Sequence, residues 1–165
     1  MSEIPGQLAL VGAFVNTLDV EEGTDELAQW LAARGPVEPG DADLALALRT
    51  ALRAELTDHD GAVRAELDRL AAGLPLRARF TADGVELAAV GAGVRGALAS
   101  VVAEVVLAER EGAWTRLKIC REDTCQYAFY DWSKNSSKTW CGASCGNRNK
   151  TRAYRQRRIV GPARA

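Results

Sequence analysis

The chain has 165 residues, of which 47% are apolar and 26% charged, a size that suits one domain or a medium domain with a small appendage. No apolar run approaches the roughly 20 residues of a membrane-spanning helix, which excludes an integral membrane protein of that type. The formal net charge of −1 is the sum of an acidic first part and a basic second part of the chain. Residues 1–115 hold nine arginines, no lysine and nineteen acidic residues, a net charge of −10, whereas residues 116–165 hold twelve basic and three acidic residues, a net charge of +9.

This charge asymmetry indicates an anionic partner, such as a nucleic acid, for the basic half. A solvated basic tail would give the same residue count, and charge alone does not separate the two interpretations.

Residues 1–113 are predicted to be mostly helical. Apolar residues at helical spacing predict a first helix that contains Leu8, Val11, Val15 and Leu18. A second short helix is expected between a cap at Thr24 and a stop at Gly35. From Asp41 a leucine recurs every four residues, which predicts an amphipathic helix of about four turns marked by Leu44, Leu48, Leu52 and Leu56. A further helix, containing Val63, Leu67 and Leu70, is expected to stop at Gly73 and Pro75.

The apolar period changes to two at Leu76. Alternation from Leu76 to Phe80, the turn residues Asp83-Gly84 and a return strand from Val85 predict a β-hairpin. A longer helix is then expected from about Val94 to Glu111. Further on, Trp114–Ile119 and Tyr127–Tyr130 are expected to be strands.

All four cysteines lie in the basic half, as C-x(4)-C, fifteen intervening residues and C-x(3)-C. Two close cysteine pairs separated by a loop can bring four thiolates to one tetrahedral ion, which predicts a structural zinc site. The predicted ligands are Cys120, Cys125, Cys141 and Cys145. The second pair, four residues apart, is expected on one side of a helix that continues to about Arg158.

Disulfides and an iron–sulfur centre are the alternatives for these cysteines. Disulfides need an oxidising compartment. No basic stretch precedes the apolar run Leu8–Val15, so we expect no secretion signal and a cytoplasmic location. Iron–sulfur clusters use tighter cysteine spacings. Neither alternative is eliminated by sequence.

The segment after Cys145 is rich in cations and contains no acidic residue up to Arg158. Such a helix is destabilised by like-charge repulsion unless an anion lies alongside, and arginine suits phosphate and guanine edges. The predicted nucleic-acid contacts are Arg148, Lys150, Arg152, Arg155, Arg157 and Arg158 on the helix, with Lys134 and Lys138 before it. In an alternative structural role, Arg148 pairs with Asp131 or Glu122 and holds the finger against itself.

Trp140-Cys141, then Cys145-Gly146-Asn147-Arg148 and a basic helix, together with the C-x(4)-C pair, resemble the CGNR zinc-finger family. The signature residues would be Gly146, Asn147 and Arg148. Only three residues separate Cys141 from Cys145, where the family commonly has four. The segment from Leu8 to Thr17 and the one from Leu27 to Leu31 are similar to the start of the helical ABATE domain, which usually precedes this finger.

The resemblance implies a bacterial, stress-induced transcription regulator with two domains. Residues 1–113 would form an ABATE-like helical domain that senses a ligand or dimerises, and residues 114–160 a CGNR-type zinc finger that binds DNA. The expected fold class is therefore α+β, mainly helical, with one β-hairpin in the helical domain and a treble-clef-like finger built from a hairpin and the basic helix.

Other functions remain open at this point. The basic finger can dock on an acidic protein surface, including the chain's own helical half, or bind RNA through its aromatic residues. An enzyme is not expected, because the single histidine, His59, lies in a polar turn and no phosphate-binding loop or metalloprotease motif is present. A small-molecule effector and a homodimer are further expected partners.

Overall fold

The computed structural model describes residues 3–160, and of residues 159 and 160 the backbone only. The predicted class, α+β and mainly helical, is confirmed: six α-helices and three two-stranded antiparallel sheets make up the described residues. The helices are α1 (Ala9–Val15), α2 (Leu27–Ala32), α3 (Asp41–Asp58), α4 (Arg64–Ala71), α5 (Gly93–Arg110) and α6 (Ala143–Val160). The strand pairs are β1 (Leu18–Asp19) with β2 (Thr24–Asp25), β3 (Leu76–Thr81) with β4 (Gly84–Ala89), and β5 (Leu117–Ile119) with β6 (Ala128–Tyr130). Short 3-10 helices cover Gly6–Leu8 and Trp114–Arg116.

The helices and the predicted hairpin follow the apolar periods closely, with corrections at their ends. α3 is 18 residues long, about a turn more than its leucine stripe predicts. α1 ends at Val15, so Leu18 belongs to β1 instead of the first helix. The expected cap at Thr24 is wrong, because Thr24 pairs with Asp19 in the β1–β2 sheet and Asp25 accepts a hydrogen bond from the Leu27 N–H at 3.0 Å.

The hydrophobic core runs across the predicted boundary between residues 113 and 114. Helices α1, α3 and α5 pack around buried leucines and valines, and the same cluster contains Trp114, Leu117, Ile119, Ala128 and Tyr130. The β5–β6 sheet therefore lies against the helical half, with Leu117 and Ala128 fully buried. None of the helices in the described part of the chain combines the length and the apolar character needed to cross a membrane.

Asn16 extends the β5–β6 sheet from the end of α1. Its side-chain amide donates to the Ala128 carbonyl oxygen at 3.1 Å and accepts from the Ala128 N–H at 2.7 Å. The side chain thus pairs with the free edge of β6 as a neighbouring strand would, across 112 positions of sequence. Backbone groups at a buried edge need such partners.

Arg53 of α3 makes a second link between the two halves. One guanidinium nitrogen donates to the Val15 carbonyl oxygen at 2.8 Å, and the other donates to the Gln126 carbonyl oxygen at 2.9 Å. Burial lowers the pKa of Arg53 from its usual value, yet two carbonyl acceptors compensate the desolvated donors.

Replacing Asn16 with alanine should destabilise the zinc-loaded protein by about 2–4 kcal/mol, because both backbone groups of buried Ala128 lose their partner. Urea unfolding followed by circular dichroism measures this. Asn147→Ala, at an exposed asparagine, is the matched control and should change stability by less than about 0.5 kcal/mol. Equal effects of the two substitutions would contradict the strand-like role of Asn16.

Candidate metal centre and basic helix

The four cysteines converge on one point. Cys120 follows β5, Cys125 ends the turn before β6, Cys141 precedes α6, and Cys145 lies in the first turn of α6. Their sulfur atoms all lie within 4.8 Å of one another, and each of the four residues is buried. The Sγ of Cys141 is 3.7 Å from the Sγ atoms of both Cys125 and Cys145.

This arrangement fits zinc. Sulfur ligands at about 2.3 Å from a tetrahedral ion are separated from one another by roughly 3.8 Å, close to the two measured distances. The three-residue spacing between Cys141 and Cys145 is accommodated because α6 begins at Ala143, between the two ligands. Only Cys145 is therefore held on the helix itself.

Electrostatics at the site also call for a cation. Burial raises the pKa of Cys125 to about 11 and raises the pKa of Cys141 as well. At Cys145 burial, the largest single effect, acts in the same direction. The hydrogen bond from Arg148 Nη2 to the sulfur, at 3.1 Å, and those from the other three cysteines together outweigh it and lower the pKa of this thiol. Ionising all four thiols in this buried place requires a positive ion between them.

Backbone hydrogen bonds stabilise the knuckle, the turn that carries the first cysteine pair. Cys125 N–H donates to the Glu122 carbonyl oxygen at 2.8 Å, and Cys120 N–H donates to the Tyr127 carbonyl oxygen at 3.0 Å. Gln126 has φ of 50°, which turns the chain from the knuckle into β6. The order of knuckle, hairpin and helix is the one expected of a treble-clef-like finger.

Residues 116–158 match a protein-family model described as the CGNR zinc finger. This segment is a structural zinc-binding module. The match covers less than half of the chain, and no curated protein matches the sequence. The ABATE-like resemblance of residues 1–113 and the domain boundary stay predictions.

Within the matched segment, Glu122 joins the knuckle to α6. It is fully buried, and its carboxylate accepts from Arg152 Nη2 at 2.5 Å and from the side-chain amide of Asn149. Desolvation acts to raise the pKa of Glu122, but hydrogen bonds from Arg152 and Thr124 outweigh it and the pKa falls below its usual value. Arg152 also contacts Asp123 at 3.1 Å. Sequence reasoning missed this pairing, although Glu122 is one of only three acidic residues after residue 115.

Arg148, the last residue of the signature, binds the helical half. Its Nη1 lies 2.7 Å from Oε1 of Glu21, in the loop between β1 and β2. The hydrogen bonds from Glu21 and Cys145 raise the pKa of Arg148, and the guanidinium in turn lowers the pKa of Glu21. Arg148 pairs with neither of the partners proposed from sequence, since Asp131 pairs with Lys118 and Glu122 with Arg152. Arg148 thus has the proposed structural role, but its acceptor is Glu21.

The remaining sequence-predicted cations lie apart from these contacts. On α6, Lys150, Arg155, Arg157 and Arg158 are exposed, and Lys134 is exposed in the loop after β6. Lys138 lies 5.6 Å from the centre of the Phe129 ring. Gly146 packs near the Trp140 ring, and Asn147 is exposed. The structure thus divides the predicted contact residues into two arginines held by carboxylates, the half-buried Lys138 and five cations that face solvent.

Asp131 organises the loop that leads to the second cysteine pair. The fully buried carboxylate accepts from Lys118 Nζ at 2.9 Å, from the Ser133 N–H at 2.9 Å and from the Lys138 N–H at 2.7 Å. Burial acts to raise the pKa of Asp131, but these hydrogen bonds, led by the one from Lys118, hold it well below its usual range. Loss of this carboxylate would remove the counter-charge of Lys118, which keeps the Ser136 carbonyl oxygen as an acceptor, and would leave two backbone donors without theirs.

Cys145→Ser should weaken zinc binding more than about 100-fold, because a ligand atom is lost. Loss of a group that only hydrogen-bonds a ligand typically weakens metal binding by roughly 10–100-fold. Competition with a chromophoric chelator measures the affinity. Ser144→Ala, at the neighbouring exposed position, is the control and should bind zinc as the wild type does. Unchanged affinity in Cys145→Ser would remove Cys145 from the ligand set.

Asp131→Asn should lower the free energy of unfolding of the zinc-loaded protein by about 3–5 kcal/mol, as expected when one partner of a buried ion pair is removed. Asp123→Asn, at a side chain that is 85% exposed, provides the comparison and should cost no more than about 1 kcal/mol. Denaturant unfolding of both variants measures the difference. A loss at Asp131 no larger than that at Asp123 would contradict its organising role.

Proposed function

We propose that the chain is a DNA-binding transcription regulator in which zinc fixes α6 and the solvent-facing side of α6 contacts the duplex. The observation that carries the proposal is the exposure of Lys150, Arg157 and Arg158 on a helix without an acidic side chain. At about 100° per residue these three cations lie within one side of the helix, together with Tyr154, which is 55% exposed. That side is free to meet a phosphate backbone.

The proposed contact surface is narrower than the one predicted from sequence. Arg148 and Arg152 are held by Glu21, Glu122 and Asp123, so their assigned role is to fix α6 to the knuckle and the helical half. Exposed Arg155 lies on the same helix, and Lys134 is exposed in the loop after β6. Phosphate contacts of this kind position a protein on a duplex without reading its sequence.

Zinc has a structural role in this proposal, and no catalytic step is assigned to it. Four protein ligands complete a tetrahedral coordination sphere and leave no position for a substrate or an activated water. The stress-response role and the ABATE-like sensor function belong to the same proposal and rest on the resemblance of the two segments.

One observation favours docking on protein as a second candidate function. The ion pair between Arg148 and Glu21 joins the basic finger to the acidic half of the same chain. A basic surface that already engages one carboxylate-bearing loop has the chemistry to engage an acidic partner protein. In that case duplex DNA would bind only weakly.

The change that tests DNA binding is Lys150→Gln, Arg157→Gln and Arg158→Gln in one variant. Three lost phosphate contacts should reduce the slope of log affinity against log salt concentration by about 2.7, since each contact contributes roughly 0.9. Fluorescence anisotropy with a labelled 20-base-pair duplex of mixed sequence, titrated at several salt concentrations, measures both affinity and slope.

The matched control replaces Arg69, Arg77 and Arg79 of the helical half with glutamine, which alters the net charge equally. This control should leave the slope unchanged within error. A slope that is the same in both variants, or that is shallow in the wild type, would contradict the proposed surface. Tighter binding of single-stranded RNA of the same length would favour RNA as the ligand instead.

A further inference from the structure

A groove lies between α3, α4 and α5, and Trp114, which follows α5, also lines it. Its volume is about 410 Å³, within the roughly 300–1,000 Å³ typical of small-molecule sites. Most of its lining is apolar, from Leu48, Leu52, Leu67, Ala71, Val102, Val105, Val106 and Trp114. Trp114 is 2% exposed and forms part of the wall below α5.

A buried carboxylate also lines this groove. Glu55 of α3 is 1% exposed, and no described group donates a hydrogen bond to either of its side-chain oxygens. Among the described residues its one ion-pair partner is Arg64, whose Nη2 lies 3.1 Å from Oε1 without the alignment of a hydrogen bond. A charge in such an apolar place is costly unless a cation lies against it.

Arg64 is a removable partner. Its side chain is 55% exposed, and the same nitrogen lies 3.0 Å from Oε1 of Glu109 at the rim of the groove. The guanidinium can therefore keep its contact with Glu109 when another cation takes its place at Glu55. Arg64 thus shields the Glu55 carboxylate from solvent, but its guanidinium is shared with Glu109 and can be displaced from Glu55.

We propose that this groove binds a small hydrophobic amine, with the ammonium group at Glu55 and the apolar body against α5 and Trp114. An ammonium supplies the hydrogen-bond donors that Glu55 lacks. The opposite arrangement, an apolar anion held by Arg64 and Arg110, is disfavoured because Arg64 is already paired with two carboxylates. This inference is independent of what the finger binds.

Isothermal titration calorimetry of the full, zinc-loaded chain with three probes of one shape tests the charge preference. The probes are 4-phenylbutylamine, 4-phenylbutan-1-ol and 4-phenylbutyrate. The amine should bind at least about tenfold more tightly than the alcohol and the acid, as expected for a charge-assisted interaction. Equal affinities, tighter binding of the acid, or no binding of the amine would each overturn the proposal.

Glu55→Gln should remove the preference for the amine over the alcohol while leaving binding of the alcohol in place. Glu26→Gln, an exposed carboxylate outside the groove, is the matched control and should keep the tenfold preference. A preference that persists in Glu55→Gln would overturn the assignment of this carboxylate.

Two further variants keep the proposal testable if Glu55→Gln does not fold. Arg64→Ala removes the competing cation, so the amine should bind severalfold more tightly and raise the melting temperature more than it does in the wild type. Val106→Trp, at a rim position 39% exposed, should fill the mouth of the groove and abolish binding of all three probes. Unchanged amine affinity in both variants would show that the amine binds elsewhere.

Discussion

Four sulfur atoms buried within 4.8 Å of one another are the constraint on which the C-terminal part of this chain depends. Burial raises the pKa of Cys125 and of Cys141, and a divalent cation among the four sulfur atoms stabilises their thiolate forms. Zinc binding therefore determines where the knuckle, the β5–β6 hairpin and α6 meet. The direction in which α6 leaves the protein follows from the same ion.

Hydrogen bonds and ion pairs then fix this finger to the helical half. Asn16 pairs with the edge of β6, Arg53 reaches the carbonyl oxygen of Gln126, and Arg148 meets Glu21 while it also donates to the Cys145 sulfur. Arg148 thus lies between the metal site and the acidic loop of the other half.

Sequence reasoning predicted the local features well because each has a local cause. The leucine stripe of α3, the β3–β4 hairpin and the cysteine spacing all follow from periodicity, turn chemistry or ligand geometry within short segments. The contacts that join the halves have no such signal. Ala128 is 112 residues from Asn16, and Glu21 is 127 residues from Arg148, so only the folded chain shows them.

The same limit applies to the candidate site. Charge density identified α6 as basic, but the sequence does not show that buried Glu122 and exposed Asp123 hold Arg152 while Lys150 and Arg157 face solvent. The groove beside Glu55 likewise requires three helices to meet. In the sequence Glu55 is one acidic residue among nineteen in the first half, and its burial distinguishes it only after folding.

The central claim is that one zinc ion is held by sulfur from four cysteines, and X-ray absorption at the zinc edge of the purified protein tests it most directly. The account predicts one zinc per chain with a single shell of four sulfur atoms at about 2.3 Å. A shell containing nitrogen or oxygen, fewer than four sulfur atoms, or cysteines joined as disulfides would contradict it.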